Sequence, residues 1–135
     1  MQITTKISNS NFQYICCSLA QKKIAYITPH QFKEDYSNEQ VYILEENEKP
    51  VAMCSLVKSE KHKNFALKRL VCFKKKNAGK GYANILIQFI SNQGFFPLVV
   101  TPWEDNAPMR HLLEKNNFHL KYIFSEKWCF YEKSA

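Results

Sequence analysis

Val71-Cys72-Phe73-Lys74-Lys75-Lys76-Asn77-Ala78-Gly79-Lys80-Gly81-Tyr82-Ala83 is the stretch on which the reading of this chain turns. It starts as a β-branched and aromatic run, passes through a basic loop into Gly-x-Gly, and continues as Tyr82, Ile85, Leu86, Phe89 and Ile90 at helical spacing. That is a strand, a tight turn and a helix. A helix N-terminus presents amides with no acceptor inside the helix and the positive end of its dipole, so it favours an anion, and glycine lets the backbone approach a phosphate closely. The turn is neither the dinucleotide fingerprint, which needs a third glycine, nor a P-loop, which needs Gly-x4-Gly-Lys-Ser/Thr. By itself it predicts only an anion site.

The charge pattern agrees. Nine basic residues and one acid, Glu60, lie between Lys58 and Lys80, which puts +8 in that stretch while the whole chain carries +7. A field of this sign attracts phosphates, whether of a nucleotide cofactor or of a nucleic-acid backbone. Charge does not separate the two, and a basic nucleic-acid-binding module stays open as a reading, although no RRM, KH or zinc-knuckle signature is present.

Working outward, Phe12, Ile15, Cys16 and Leu19 mark an amphipathic helix over Asn11 to Gln21, with Ser8-Asn9-Ser10 available to cap it. A short helix from about Gln31 to Tyr36 follows Pro29. Gln2 to Ile7 is a short β-leaning segment. Val41 to Glu45 and Pro50 to Val57 read as a hairpin around Glu46-Asn47-Glu48-Lys49. Phe65 to Phe73 is apolar on both faces and is therefore expected to be a central strand. Gly94 closes the helix after the loop, Phe95 to Thr101 is the next strand, and Asp105 or Asn106 opens a helix that Asn116-Asn117 ends. Phe118 to Phe124 and Lys127 to Glu132 complete the series. The expected order is β-α-α-β-β-β-α-β-α-β-β, an α/β mixed sheet with one parallel crossover, in a single domain over 1–135.

This arrangement resembles the GNAT superfamily of N-acetyltransferases. Their cofactor loop reads Arg/Gln-x-x-Gly-x-Gly/Ala, matched here at Gly81 and Ala83, with Ala78 at the Arg/Gln position. The hairpin Leu44 to Leu56 is similar to the family's second and third strands. Asp105 to Phe118 is similar to its later helix and following turn, with Asn106 at the family's Asn position and Asn117-Phe118 where Gly-Phe is usual. The resemblance covers roughly residues 40 to 132.

The resemblance implies acetyl-CoA as co-substrate and direct acyl transfer to the amine of an unidentified acceptor. The pantetheine arm would lie in a V-shaped split beside the fourth strand, on the backbones of Val71, Cys72 and Phe73. The pyrophosphate would sit on the amides of Ala78, Gly79, Lys80, Gly81, Tyr82 and Ala83, with Asn106 facing the arm. Two departures stand out: Ala78 for Arg/Gln, and Leu113 where many members carry the Tyr that protonates the leaving thiolate. They leave open a fold that binds the cofactor as a sensor without turnover.

No catalytic residue is fixed. Glu45 and Glu46 are candidate bases for the amine, and Cys72 lies near the expected thioester position. Trp103 would border an acceptor pocket or serve packing, and His111 has no assigned role. The five cysteines are odd in number and lack ligand spacing, so they read as reduced core thiols with no metal. No apolar run reaches the ~20 residues of a membrane span and the N-terminus is polar, so a cytoplasmic protein without a membrane partner is expected, as monomer or homodimer.

Overall fold

The computed structural model describes residues 1–22, 27–73 and 81–135. Its elements are β1 (Gln2–Thr4), α1 (Asn9–Lys22), α2 (Pro29–Ser37), β2 (Val41–Glu46), β3 (Lys49–Ser59), β4 (Asn64–Cys72), α3 (Tyr82–Ser91), β5 (Leu98–Val100), α4 (Ala107–Lys115), β6 (His119–Phe124) and β7 (Trp128–Lys133). The order is the expected one. The strands lie β1-β2-β3-β4-β5-β7-β6, so β4 is central as its two apolar faces require. β4 and β5 run parallel and β5 and β7 antiparallel.

The residues divide into two compact units, 1–56 with 68–86, and 57–67 with 87–135. In the first, α1 starts where Ser8 Oγ accepts the Asn11 N–H at 3.2 Å. α2 starts where Thr28 Oγ1 accepts the Gln31 N–H at 3.1 Å, with Pro29 in its first turn. Both helices point apolar stripes inward: Ile15, Leu19 and Phe32 are buried with Val41, Ile43, Met53, Val71 and Phe73. The β2–β3 hairpin turns at Asn47 and Glu48, both left-handed (φ 52° and 64°), which matches the twist of the strands it joins.

In the second unit, Phe65 and Ala66 of β4 pair with Leu98 and Val99 of β5. Asn106 Oδ1 caps α4 by accepting the Met109 N–H at 3.3 Å, and Asn117 is left-handed (φ 67°) as the helix ends. Leu113, Phe118 and Tyr131 are fully buried there. The strand expected over Phe95 to Thr101 is shorter, Leu98–Val100. Pro97 has no N–H to give a ladder and the Phe96 N–H bonds locally to Gly94 O, so regular pairing begins only at Leu98. No helix among the described residues is long and apolar enough to cross a membrane.

Candidate functional site

The expected anion site begins at the end of β4, in the first unit. Val71 and Phe73 are buried and Cys72 is half-buried, and the Phe73 N–H donates to Val51 O at 3.1 Å. Ala78, Gly79 and Lys80 lie outside the described residues, as do Lys74, Lys75 and Lys76. Gly81 does not. Its φ of +80° is one that an L side chain rarely adopts, and a Cβ built on it meets nothing within 4 Å. The conformation calls for glycine, and the space beside the backbone is open. The first bond of α3 runs from the Ile85 N–H to Gly81 O at 3.1 Å, so the amides of Tyr82 and Ala83 precede the helical ladder and have no acceptor within it. The residues described here fit an anionic group.

Tyr82 anchors that helix end. Its ring is 4% exposed, and its hydroxyl donates to Glu46 Oε2 at 2.9 Å, tying α3 to the end of β2. The hydrogen bond to the carboxylate, with burial adding to it, pushes the Tyr82 phenol above its usual range. It is a protonated donor at neutral pH. Glu45, the preceding residue, serves another partner: Asn11 Nδ2 donates to its Oε2 at 2.8 Å and to Glu48 O at 3.0 Å. Glu45 lines a polar cleft of about 340 Å³ with Gln2, Thr4, Ser8, Ser10 and Glu48, among others. The two candidate bases are thus adjacent in sequence and separate in surroundings. Cys72 has its thiol pushed up by burial, so it is a protonated, weak nucleophile at neutral pH.

A polar network that the sequence did not disclose lies under β4. Asp35 of α2 is 2% exposed. Its Oδ2 accepts from Arg69 Nε at 2.5 Å and from Ser55 Oγ at 2.7 Å; its Oδ1 accepts from Arg69 Nη2 and Gln31 Nε2, both at 2.9 Å. Burial acts to raise its pKa, but the hydrogen bonds from Arg69, Ser55 and Gln31 outweigh it and hold the carboxyl below its usual range. Arg69 is left-handed (φ 54°) inside β4, three residues before Cys72. The fork to Asp35 fixes a backbone conformation that a strand residue does not adopt unaided. The one signal in the sequence was spacing: Asp35 stands three residues after buried Phe32, on the same helix face.

The second unit holds the remaining expected residues. Asn106 spends its side-chain oxygen on the α4 cap. Leu113 is fully buried, and near it the Tyr131 hydroxyl donates to Glu114 Oε2 at 2.7 Å and accepts from Arg110 Nε at 3.1 Å. Trp103 is 49% exposed, edge-on to Trp128 with ring centroids 5.0 Å apart, and Lys127 Nζ lies 5.1 Å from its centroid. His111 is exposed.

This fold is that of the GNAT-family acetyltransferases. Over 98% of this chain and 96% of theirs, it is similar to an acetyltransferase of the GNAT family from Bacillus cereus, with a TM-score of 0.79 and 14% identity. It is also similar to the ribosomal-protein-S18-alanine N-acetyltransferase of Escherichia coli (TM-score 0.70, 12% identity, 97% of this chain and 89% of that one). A third likeness is to Naa50 of Arabidopsis thaliana, in complex with the bisubstrate analogue CoA-Ac-MVNAL (TM-score 0.66, 12% identity, 99% and 98%). No protein-family model matches the sequence, and no curated protein matches it either.

Proposed function

We propose that this chain is an N-acetyltransferase that passes an acetyl group from acetyl-CoA directly to a primary amine. The observation that carries the reading is Gly81: a left-handed glycine with open space beside it, at the start of α3 and after a central strand, in a chain with this fold over nearly its whole length. When bound, acetyl-CoA would supply the activated thioester: the amine nitrogen would bond to its carbonyl carbon as the C–S bond breaks, and the departing CoA thiolate would take up the proton that the nitrogen sheds. The amides of Gly81, Tyr82 and Ala83 hold the pyrophosphate, and the backbones of Val71, Cys72 and Phe73 hold the pantetheine arm. Ala78, Gly79 and Lys80 serve the same pyrophosphate in this reading.

Cys72 does not form an acyl intermediate in this scheme, because a thiol kept protonated by burial is a poor nucleophile. The amine loses its proton to Glu45 or Glu46. Glu45 opens on a polar cleft and Glu46 is bridged to the cofactor helix through Tyr82, so Glu45→Gln and Glu46→Gln separate them by their kcat. The acceptor is a small-molecule or peptide amine; the solved complex of Naa50 carries a peptide in its bisubstrate analogue, which favours testing peptides first.

Titration calorimetry with acetyl-CoA tests the reading. Binding is expected in the wild type and weakened about tenfold or more by Gly81→Val, whose side chain is strained at a φ of +80° and fills the open space that this reading gives to the phosphate. No binding to wild type at millimolar acetyl-CoA sinks it. Binding without turnover over a broad amine panel turns it into a cofactor sensor, the reading that Leu113 at the usual Tyr position favours.

A further inference from the structure

β6 is the last strand of the sheet, beyond β7, and all six of its residues are exposed. Four of them are large and apolar: Leu120 is 40% exposed, Tyr122 54%, Ile123 44% and Phe124 38%. Only Lys121 and His119 interrupt the run, with no proline and no acid. An edge strand of this kind offers its outward main-chain groups to another strand, and apolar side chains on both of its faces gain by being covered.

The register says what covers it. Leu120 lies opposite Tyr131 and Ile123 opposite Cys129, two buried alternate residues of β7, so Leu120 and Ile123 share the core-side face. His119 lies opposite Glu132, Tyr122 opposite Phe130 and Phe124 opposite Trp128, which places these three on the other face. Between Leu120 and Tyr122 the register shifts, and Lys121 is the extra residue. A bulge of this kind resets the alternation and puts Lys121 on the face of Tyr122. From His119 to Phe124 the faces therefore run outer, core, outer, outer, core, outer. That order is the same read from either end. A regular six-residue strand reads differently from its two ends, so it cannot pair antiparallel with itself about its midpoint and keep every face matched.

We propose that β6 is a dimerisation edge, at which two copies of this chain pair antiparallel about a two-fold axis to continue the sheet. His119 then faces the second copy's Phe124, Leu120 its Ile123, and Lys121 its Tyr122, each contact made twice as an isologous interface demands. Leu120 and Ile123 cover one another on the core side. On the outer face each Lys121 ammonium lies beside a Tyr122 ring, whose π face attracts a cation. A strand with two basic residues and no acid has no complementary charge to offer itself, so the association rests on apolar cover and main-chain pairing and is only weakly sensitive to salt.

Sedimentation velocity over a wide concentration range tests this. The wild type is expected to show a monomer–dimer equilibrium. Ile123→Asp and Leu120→Lys, both at exposed positions, are each expected to raise the dimer dissociation constant about a hundredfold. An equimolar mixture of the two is expected to dimerise again, because the register sets the new lysine of one copy against the new aspartate of the other and leaves the second Leu120–Ile123 contact intact. Far-UV circular dichroism checks that each variant is folded. Hydrogen exchange on the wild type gives a reading that needs no variant: β6 amides gain protection as concentration rises, while β1 amides do not. A wild type monomeric throughout, variants that dimerise as the wild type does, or a mixture that fails to recover would each overturn the proposal.

Discussion

Replacing Asp35 with Asn keeps the shape of the side chain and removes its charge, and the structure sets the consequence. Four hydrogen bonds converge on the two carboxylate oxygens, two of them from the Arg69 fork. An amide has one oxygen, so its NH2 group must face donors it cannot accept from, and Arg69 loses its counter-charge. Breaking a buried pair from one side costs ~3–5 kcal/mol. The Arg69 side chain is 20% exposed and regains some hydration, which puts the expectation at the lower end, ~3 kcal/mol. Against the ~5–15 kcal/mol that holds a domain of ordinary size, that is a large fraction, and it corresponds to a fall of ~10–15 °C in melting temperature.

The pH dependence follows from the same group. Because the folded carboxyl titrates below its unfolded value of 3.8, its contribution is fully present above that value and is lost as pH falls through the folded one. Urea unfolding from pH 7 to pH 3 is the assay: wild type and Asp35→Asn should differ by ~3 kcal/mol at pH 7 and converge as the pH falls below about 4. An Asp35→Asn penalty under ~1 kcal/mol, or a difference that does not shrink in acid, would refute the idea that the ion pair holds β4. A cycle with Arg69→Met completes the test, with the two losses expected to be strongly non-additive.

Other expectations are more local. Tyr82→Phe removes the bridge to Glu46 and leaves a carboxylate oxygen without its donor, so it should cost ~1 kcal/mol by urea unfolding and weaken acetyl-CoA binding less than Gly81→Val does. In the native protein Cys17, which is exposed, should react first with a thiol reagent, while Cys54 and Cys129, both buried, should react only on unfolding. Cys54 should resist most firmly as pH is raised, since burial pushes its thiol up to about 12.

The sequence by itself determined the elements and their order. Helical spacing at Ile15 and Leu19, turn residues at Gly81 and Asn117, and capping side chains at Ser8 and Asn106 are local signals, set by backbone sterics and by amides that the chain's own neighbours satisfy. The loop was legible for the same reason: Gly-x-Gly before a helical pattern is a statement about nearby φ angles. Tertiary structure alone decided which side chains meet. Asp35, Ser55 and Arg69 come from three elements, and their energies exist only once a carboxylate is out of water and a guanidinium lies within hydrogen-bond reach. Glu45 and Glu46 read as one acidic pair in the chain, yet Asn11 takes the first and Tyr82 the second. The bulge at Lys121 left no mark in the sequence either, because a one-residue shift of register is fixed by how β6 lies against β7 and by nothing in β6 alone.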